Sequence, residues 1–264
     1  MSARDVPAPA TEGGLASYKD ALKKGGLASY KDALKTFAHR AVDPLVRGLV
    51  ALGLRADHLT IAGLVLSAFS GWAFYDGQWR LASLLLTLAG ACDILDGQVA
   101  RVSGRVTTFG AFLDSTLDRL AESFVLIGLA AFYAGNLLGL YHKARIAVEQ
   151  VASGELEAPF AAIAASGPVP PEGWLALTVL CVFALTGSFM VSYTRARAEG
   201  LGFDCRVGWF ERPERIVLLI LAGFVKAFWA MSAALILLTV FSFVTAAQRL
   251  LHVRRLATRE AAQS

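Results

Sequence analysis

Charged residues are scarce in this chain of 264 residues. Asp, Glu, Lys and Arg together make up 17% of it, whereas a soluble domain is usually about a quarter charged. Hydrophobic residues make up 56%, and the mean hydropathy is +0.54. So little charge excludes a disordered chain, a coiled coil and a solvated nucleic-acid-binding module. The composition instead indicates an integral membrane protein.

Cysteine is scarce as well. Of the three residues, Cys92 and Cys181 lie in apolar segments and Cys205 lies in a basic loop. Their odd number and wide spacing exclude a disulfide framework and a Cys-x-x-Cys metal site. The first 36 residues also lack the compact apolar core of a cleaved signal peptide. The net charge of +4 points to membrane lipids or a phosphate-bearing substrate as partners, and not to nucleic acid.

The pattern of composition divides the chain into a polar N-terminal tail, a membrane domain and a C-terminal tail. These parts are predicted at residues 1–36, 37–256 and 257–264. The N-terminal tail contains the segment GGLASYKDALK twice, at 13–23 and 25–35. We interpret the repeat as a tandem duplication, because two short copies are too few for a solenoid.

The membrane domain opens with residues 37–54, which mix Leu, Val and Phe with Arg and His. This mixture predicts an amphipathic helix that lies in the membrane interface. Six apolar segments follow, at about 58–75, 80–103, 107–140, 174–194, 214–228 and 229–250. A bilayer crossing requires about 20 apolar residues. The predicted fold is therefore an all-α integral membrane protein with six transmembrane helices preceded by an interfacial helix.

The distribution of Lys and Arg predicts the orientation of these helices. Both types are concentrated before residue 56, at 101–105, at 195–215 and from 249 onward. Since Lys and Arg are retained on the cytoplasmic side, both termini should be cytoplasmic. The long connection at 140–173 should lie on the opposite side, with one short helix near 141–152.

Four aspartates interrupt the second and third apolar segments. An acidic residue at the centre of a membrane helix costs about 2.5–3.5 kcal/mol. Asp93 and Asp96 are three residues apart and Asp114 and Asp118 are four apart, so each pair shares one helix face. Carboxylates without His or Cys favour Mg²⁺ or Mn²⁺ over zinc. The alternative, aspartates paired with nearby arginines at the helix ends, explains this regular spacing less well.

Small residues and an arginine accompany the aspartates. The stretch reads Asp93-x-x-Asp96-Gly97-x-x-Ala100-Arg101, then eight residues, then Gly110-x-x-x-Asp114-x-x-x-Asp118. It resembles the signature of the CDP-alcohol phosphotransferases, also called CDP-alcohol phosphatidyltransferases, at every fixed residue and every gap. The resemblance extends over roughly residues 37–256.

The resemblance implies an enzyme that transfers the phosphatidyl group of CDP-diacylglycerol to an alcohol and releases CMP. It implies a homodimer in the inner membrane of a prokaryotic cell, with the active site open to the cytoplasm. Two divalent metal ions, Mg²⁺ or alternatively Mn²⁺, would be held by Asp93, Asp96, Asp114 and Asp118, and Asp118 would also be the general base. The residues implied to bind the CDP-lipid are Asp57, Thr60, Gly97, Ala100, Arg101 and Gly110.

A second basic cluster bears on the acceptor alcohol. Residues 192–215 read SYTRARAEGLGFDCRVGWFERPER and resemble the branch of the family that uses inositol phosphate. By that resemblance Arg195, Arg215 and Arg255 would bind the phosphate of the acceptor. We expect three arginines from separate segments to converge on a shared dianion, because unpaired guanidiniums would repel one another.

Other functions stay open at this point. Glycerol 3-phosphate is a second phosphorylated acceptor that the same arginines would suit, and serine suits them less. A prenyltransferase would carry two separate Asp-rich motifs, whereas this chain has one bipartite motif. A transporter would explain acidic residues in the membrane, but not their combination with Gly and Ala-Arg.

Overall fold

The structure, a computed structural model, describes residues 44–104, 106–154 and 169–262. The predicted tail at 1–36, with its repeat, lies outside the described residues. So do the first seven residues of the predicted interfacial helix and the middle of the connection at 140–173.

The described residues form helices and no strand, which confirms the all-α class. Six long helices follow one another as α1 (Ala56–Tyr75), α2 (Trp79–Val102), α3 (Thr108–Ala152), α4 (Pro171–Glu199), α5 (Arg212–Val225) and α6 (Phe228–Ala261). Residues 44–51, inside the predicted interfacial helix, are helical as well. They belong to a unit that ends at Leu54, separate from the unit that begins at Arg55.

Five helices of the described part are long and apolar enough to cross a membrane: α1, α2, α3, α4 and α6. The remaining one, α5, has 14 residues and is about 21 Å long at 1.5 Å per residue. A bilayer core is about 30 Å thick. The count of six transmembrane helices therefore stays a prediction, while five candidates support a membrane protein.

Two helices extend beyond their predicted ends. The separate short helix expected near 141–152 is instead the last part of α3, which runs without a break through 45 residues. Likewise, α6 continues past residue 256, where the membrane domain was predicted to end, to Ala261.

The packing of the six helices places the site. The six helices contact one another in a closed ring. Its order is α1, α2, α5, α6, α4, α3 and back to α1. At one end of the ring, aromatic side chains pack edge to face, among them Trp79, Tyr133, Trp174 and Phe228. Large apolar side chains such as Trp72 are exposed on the helix surfaces, as expected where lipid replaces water.

A glycine crossing holds α1 against α3. A Cβ at Gly71 would overlap the carbonyl of Phe124, and a Cβ at Gly128 would overlap the carbonyl of Gly71. Small residues commonly permit such close backbone approach between membrane helices. The crossing fixes the starts of α1 and α3, which carry site residues, relative to each other.

Candidate active site

The predicted site residues meet at the end of the ring opposite the aromatic cluster. Because successive helices alternate in direction, this end collects the starts of α1, α3 and α5 and the later parts of α2, α4 and α6. Thr107 begins α3 by accepting a hydrogen bond from the Gly110 backbone N–H at 2.9 Å. This cap satisfies one of the free N–H groups at a helix start.

Three of the four aspartates form one acidic cluster. Carboxylate oxygens of Asp93, Asp114 and Asp118 all lie within 4.8 Å of one another. Asp114 Oδ1 is buried and has no hydrogen-bond partner among the residues that the structure describes. Hard oxygen ligands at this spacing, one of them buried without a partner, fit a divalent cation such as Mg²⁺ or Mn²⁺.

Asp96 is held separately. Its Oδ2 accepts a hydrogen bond of 2.8 Å from Thr60 Oγ1, so that the start of α1 is tied to α2. The carboxylate is buried. Thr60 was predicted as a residue of the CDP-lipid site, and the structure places it in direct contact with the signature motif.

Arg212, which the sequence analysis did not single out, contacts two of the clustered carboxylates. Its Nη1 lies 2.7 Å from Asp93 Oδ1 and 2.8 Å from Asp118 Oδ1. The only signal in the sequence was its position in the segment ERPER beside Arg215. Its two contacts depend on how α5 packs against α2 and α3, which the segment alone does not reveal.

One pocket collects all the residues that were predicted to bind the CDP-lipid. It has an empty volume of about 640 Å³. Its lining includes Asp57, Thr60, Gly97, Ala100, Arg101 and Gly110, together with Asp96 and Asp114. A Cβ at Gly97 would find only the tip of Arg101 within 4 Å, at 3.7 Å. The backbone of α2 is therefore open to the pocket at this residue.

A second, arginine-rich pocket lies on the other side of the acidic cluster. Its empty volume is about 1240 Å³. Its charged lining residues are Asp114, Asp118, Arg119, Glu122, Arg195, Glu199, Glu211, Arg212, Arg215 and Arg249. Asp114 lines both pockets, whereas Asp118 lines the second and not the first. The two pockets therefore meet at the carboxylates.

Arg215 is held by a buried carboxylate. Its Nε and Nη2 contact the two oxygens of Glu122 at 2.7 and 3.0 Å, and Ser188 Oγ donates to Glu122 at 2.5 Å. The Arg215 side chain is 2% exposed, and within the described part of the chain its Nη1 has no hydrogen-bond partner. This nitrogen is therefore a donor that a ligand in the pocket could use.

The other predicted arginines differ in position. Arg195 lines the second pocket and pairs with Glu199 at 2.9 Å. Arg255 lies exposed on α6 and does not line this pocket. Arg249, earlier on the same helix, lines it instead and contacts Glu211 at 3.1 Å. Because Arg195, Arg215 and Arg249 each contact a glutamate, arginines can gather at this pocket without a shared dianion. The reason given from the sequence, that only a shared dianion would bring Arg195, Arg215 and Arg255 together, is therefore wrong for Arg195 and Arg215.

A comparison with known proteins places the chain in a family. The family model described as CDP-alcohol phosphatidyltransferase matches residues 54–245, so the chain belongs to that family. It is therefore an enzyme of phospholipid synthesis embedded in a membrane. The archaetidylinositol phosphate synthase of Methanothermobacter thermautotrophicus is 35% identical over 217 residues, which cover 81% of this chain and 89% of that protein. The phosphatidylinositol phosphate synthase of Streptomyces avermitilis is 31% identical over 230 residues, 83% of this chain and 80% of that protein.

Solved structures of a phosphatidylinositol phosphate synthase from Mycobacterium tuberculosis have a similar fold. One, with CDP-DAG bound, has a TM-score of 0.60 and 29% sequence identity, and the match covers 81% of this chain and 94% of that one. Another, in complex with manganese and citrate, has a TM-score of 0.59 and 29% identity, with 80% and 87% covered.

Proposed function

We propose that this enzyme transfers the phosphatidyl group of CDP-diacylglycerol to a hydroxyl of inositol 1-phosphate and releases CMP. The observation that carries this proposal is the meeting of two pockets at one carboxylate cluster. One pocket contains the signature residues and the other contains arginines. The similar proteins named as inositol phosphate lipid synthases favour inositol 1-phosphate over glycerol 3-phosphate.

The first pocket is proposed to bind the CDP part of the donor. Gly97 and Ala100 have no bulky side chain to cover α2, so a flat nucleotide can approach the helix backbone there. Arg101, Asp57 and Thr60 stand around the same pocket. The Arg101 guanidinium can donate two hydrogen bonds to a phosphate. The structure from Mycobacterium tuberculosis with CDP-DAG bound supports a donor of this class.

The proposed metal site binds two Mg²⁺ ions, with Mn²⁺ as the alternative. Its ligands are the four aspartates of the signature motif, Asp93, Asp96, Asp114 and Asp118. The unpartnered oxygen of Asp114 and the manganese in a similar protein support a divalent metal. When bound, such ions neutralise the pyrophosphate and stabilise the attacking and leaving oxygens. Thr60 orients Asp96 for this task through its hydrogen bond.

Asp118 is proposed to be the general base. Of the two aspartates on α3, it is the one that lines the arginine-rich pocket without lining the donor pocket. A hydroxyl that approaches from that side can give its proton to the carboxylate as the new phosphorus–oxygen bond forms. The bond to CMP then breaks, and CMP leaves with the electron pair.

The acceptor's phosphate is proposed to bind among Arg195, Arg215 and Arg249, with Arg249 in the place first assigned to Arg255. The free Nη1 of Arg215 is the donor that supports this placement most directly. A neutral alcohol would leave that nitrogen without a partner, which is costly for a buried charged group. Serine or free inositol is therefore a poor acceptor by this proposal.

The test is an acceptor panel with the purified enzyme, CDP-diacylglycerol and Mg²⁺. Inositol 1-phosphate, glycerol 3-phosphate, inositol and serine are compared by labelled lipid product and CMP release. Inositol 1-phosphate should give the highest rate. A higher rate with glycerol 3-phosphate would leave the mechanism intact and overturn the acceptor, and a neutral alcohol as the best acceptor would overturn the role of the arginines.

The setting of the enzyme is also part of the proposal. We propose six transmembrane helices within a membrane domain at 37–256, a homodimer, and an active site that faces the cytoplasm of a prokaryotic cell. The concentration of arginines at the site end of the ring supports this orientation.

A further inference from the structure

We propose that Arg212 is the internal counter-cation of the acidic cluster, and that it couples metal binding to binding of the acceptor. In this proposal, which rests on the proposed function, the guanidinium and the metal ions compete for Asp93 and Asp118. Metal binding releases Arg212 into the arginine-rich pocket, where it meets the phosphate of the acceptor.

The competition follows from the contacts of Arg212. One nitrogen, Nη1, lies 2.7 Å from Asp93 and 2.8 Å from Asp118. The same two residues, with Asp114, bring carboxylate oxygens within 4.8 Å of one another. A guanidinium keeps its charge at any ordinary pH. Like charges at such short range repel strongly outside bulk water. Arg212 and a divalent cation therefore weaken each other's binding to Asp93 and Asp118.

The destination of the released side chain follows from the pocket. Arg212 is part of the lining of the arginine-rich pocket, and its buried Nε has no hydrogen-bond partner in residues 44–104, 106–154 and 169–262. A free donor beside this cavity is available to an anion that enters it. When a metal ion takes the carboxylates, the guanidinium is left without a charged partner. A phosphate in the pocket can then supply charge-assisted hydrogen bonds to it.

Arg212 differs in this respect from its neighbours in the same pocket. Arg195 pairs with Glu199, Arg215 with Glu122, and Arg249 with Glu211. Those glutamates are outside the signature motif, so metal binding leaves these pairs unchanged. Arg212 is bound to two aspartates of the motif itself. Metal and acceptor should therefore bind cooperatively, and the coupling must be equal in both directions.

The first experiment measures Mn²⁺ affinity of the purified full-length protein by calorimetry, without any substrate. Arg212→Gln should bind Mn²⁺ about tenfold more tightly than the parent, because the competing charge is gone. Arg195→Gln is the matched control, with the same substitution in the same pocket but no contact to an aspartate. It should leave the affinity nearly unchanged. Arg212→Lys keeps the charge and should resemble the parent.

The second experiment repeats the Mn²⁺ titration with saturating inositol 1-phosphate. The parent should then bind Mn²⁺ about fivefold more tightly or better, and Arg212→Gln should lose most of this gain. A gain that persists in Arg212→Gln would mean that the phosphate acts on the metal directly, and would overturn the coupling through Arg212.

These measurements separate two kinds of failure. If the parent binds no Mn²⁺, the metal site and with it the proposed function are overturned. If the parent binds Mn²⁺, loses it with Asp93→Asn, and shows the same affinity with Arg212→Gln, only the competition is overturned. A folded state of each variant is checked by thermal unfolding in detergent. If Arg212→Gln does not fold, Arg212→Met, which also removes the charge, takes its place and should show the same tighter Mn²⁺ binding.

Discussion

Asp114 is the charged residue that lines both the proposed donor pocket and the proposed acceptor pocket, and one of its buried oxygens has no partner among the described residues. We expect Asp114→Asn to remove nearly all turnover while the protein stays folded, because an amide is a much poorer ligand for a divalent cation. The measurement is CMP release with and without excess EDTA. Asp204→Asn, the same substitution at an exposed loop residue, should keep full activity. Normal activity of Asp114→Asn, or of the parent in EDTA, contradicts the metal site.

Asp118 lies one turn further along α3 and lines the arginine-rich pocket, which is proposed to bind the acceptor. As a general base it should contribute about 10²–10⁴-fold to the rate. We expect Asp118→Asn to lower turnover by this order while CDP-diacylglycerol affinity changes much less. Turnover at saturation and donor affinity are measured on the same preparation. A variant that loses donor binding but keeps its turnover would show that Asp118 serves only as a ligand.

Arg215 and Arg195 line the same pocket, but the ion pair of Arg215 with Glu122 is buried, whereas that of Arg195 with Glu199 is partly exposed. Loss of a hydrogen bond to a charged group costs about 1.5–3 kcal/mol, so either change to Ala should raise the KM for inositol 1-phosphate by about tenfold or more. Arg215→Ala also leaves the buried Glu122 without its charged partner, which costs about 3–5 kcal/mol of stability. Arg195 is 41% exposed, so Arg195→Ala should keep the parent's Tm. An unchanged acceptor KM in Arg195→Ala would remove that residue from the site.

The crossing of α1 and α3 is the element-scale feature on which the site depends. We expect Gly71→Ala to push the two helices apart, because its Cβ would overlap the Phe124 carbonyl. Overpacking of this kind typically costs about 1–3 kcal/mol, and it should lower both the Tm and the turnover, since α1 carries Thr60. The control is Gly135→Ala on α3, where a Cβ would have no atom of the described residues within 4 Å. Equal Tm values for the two variants would show that the crossing tolerates a side chain.

The helices themselves could be predicted from the sequence because apolar runs and helix starts are local features. The ends of the helices were harder to predict. The apolar run ends near residue 140, but residues 141–152 still favour a helix, so α3 continues through them. Spacing within one helix also predicted that each aspartate pair shares a face. Partners across helices, such as Glu122 for Arg215, depend on packing in three dimensions. For the same reason the sequence did not single out Arg212, and it did not reveal that Arg249, and not Arg255, lines the arginine-rich pocket.

At the scale of the whole molecule, the two ends of the helix ring differ in chemistry. One end has the acidic cluster and its arginines, and the other has the aromatic cluster. The substrates that the site is proposed to use, CDP-diacylglycerol with its nucleotide and a phosphorylated polyol, have polar parts that must arrive from water. Because Lys and Arg concentrate near the acidic cluster, the positive-inside rule predicts that this end faces the cytoplasm.

Cysteine labelling in intact cells tests this orientation. Two exposed arginines serve as reporters: Arg206 in the loop before α5, with 81% of its side chain exposed, and Arg145 near the far end of α3, with 78% exposed. The variants Arg206→Cys and Arg145→Cys are made in a background in which the three native cysteines are replaced by Ala. A maleimide that cannot cross the membrane should label Arg145→Cys in intact cells with a permeable outer layer, and Arg206→Cys only after the membrane is broken. The reverse pattern would place the active site outside the cell. Nucleotide headgroups and phosphorylated acceptors from the cytoplasm could not reach it there. The proposed function would then fail in the cell, even if the purified enzyme performed the reaction.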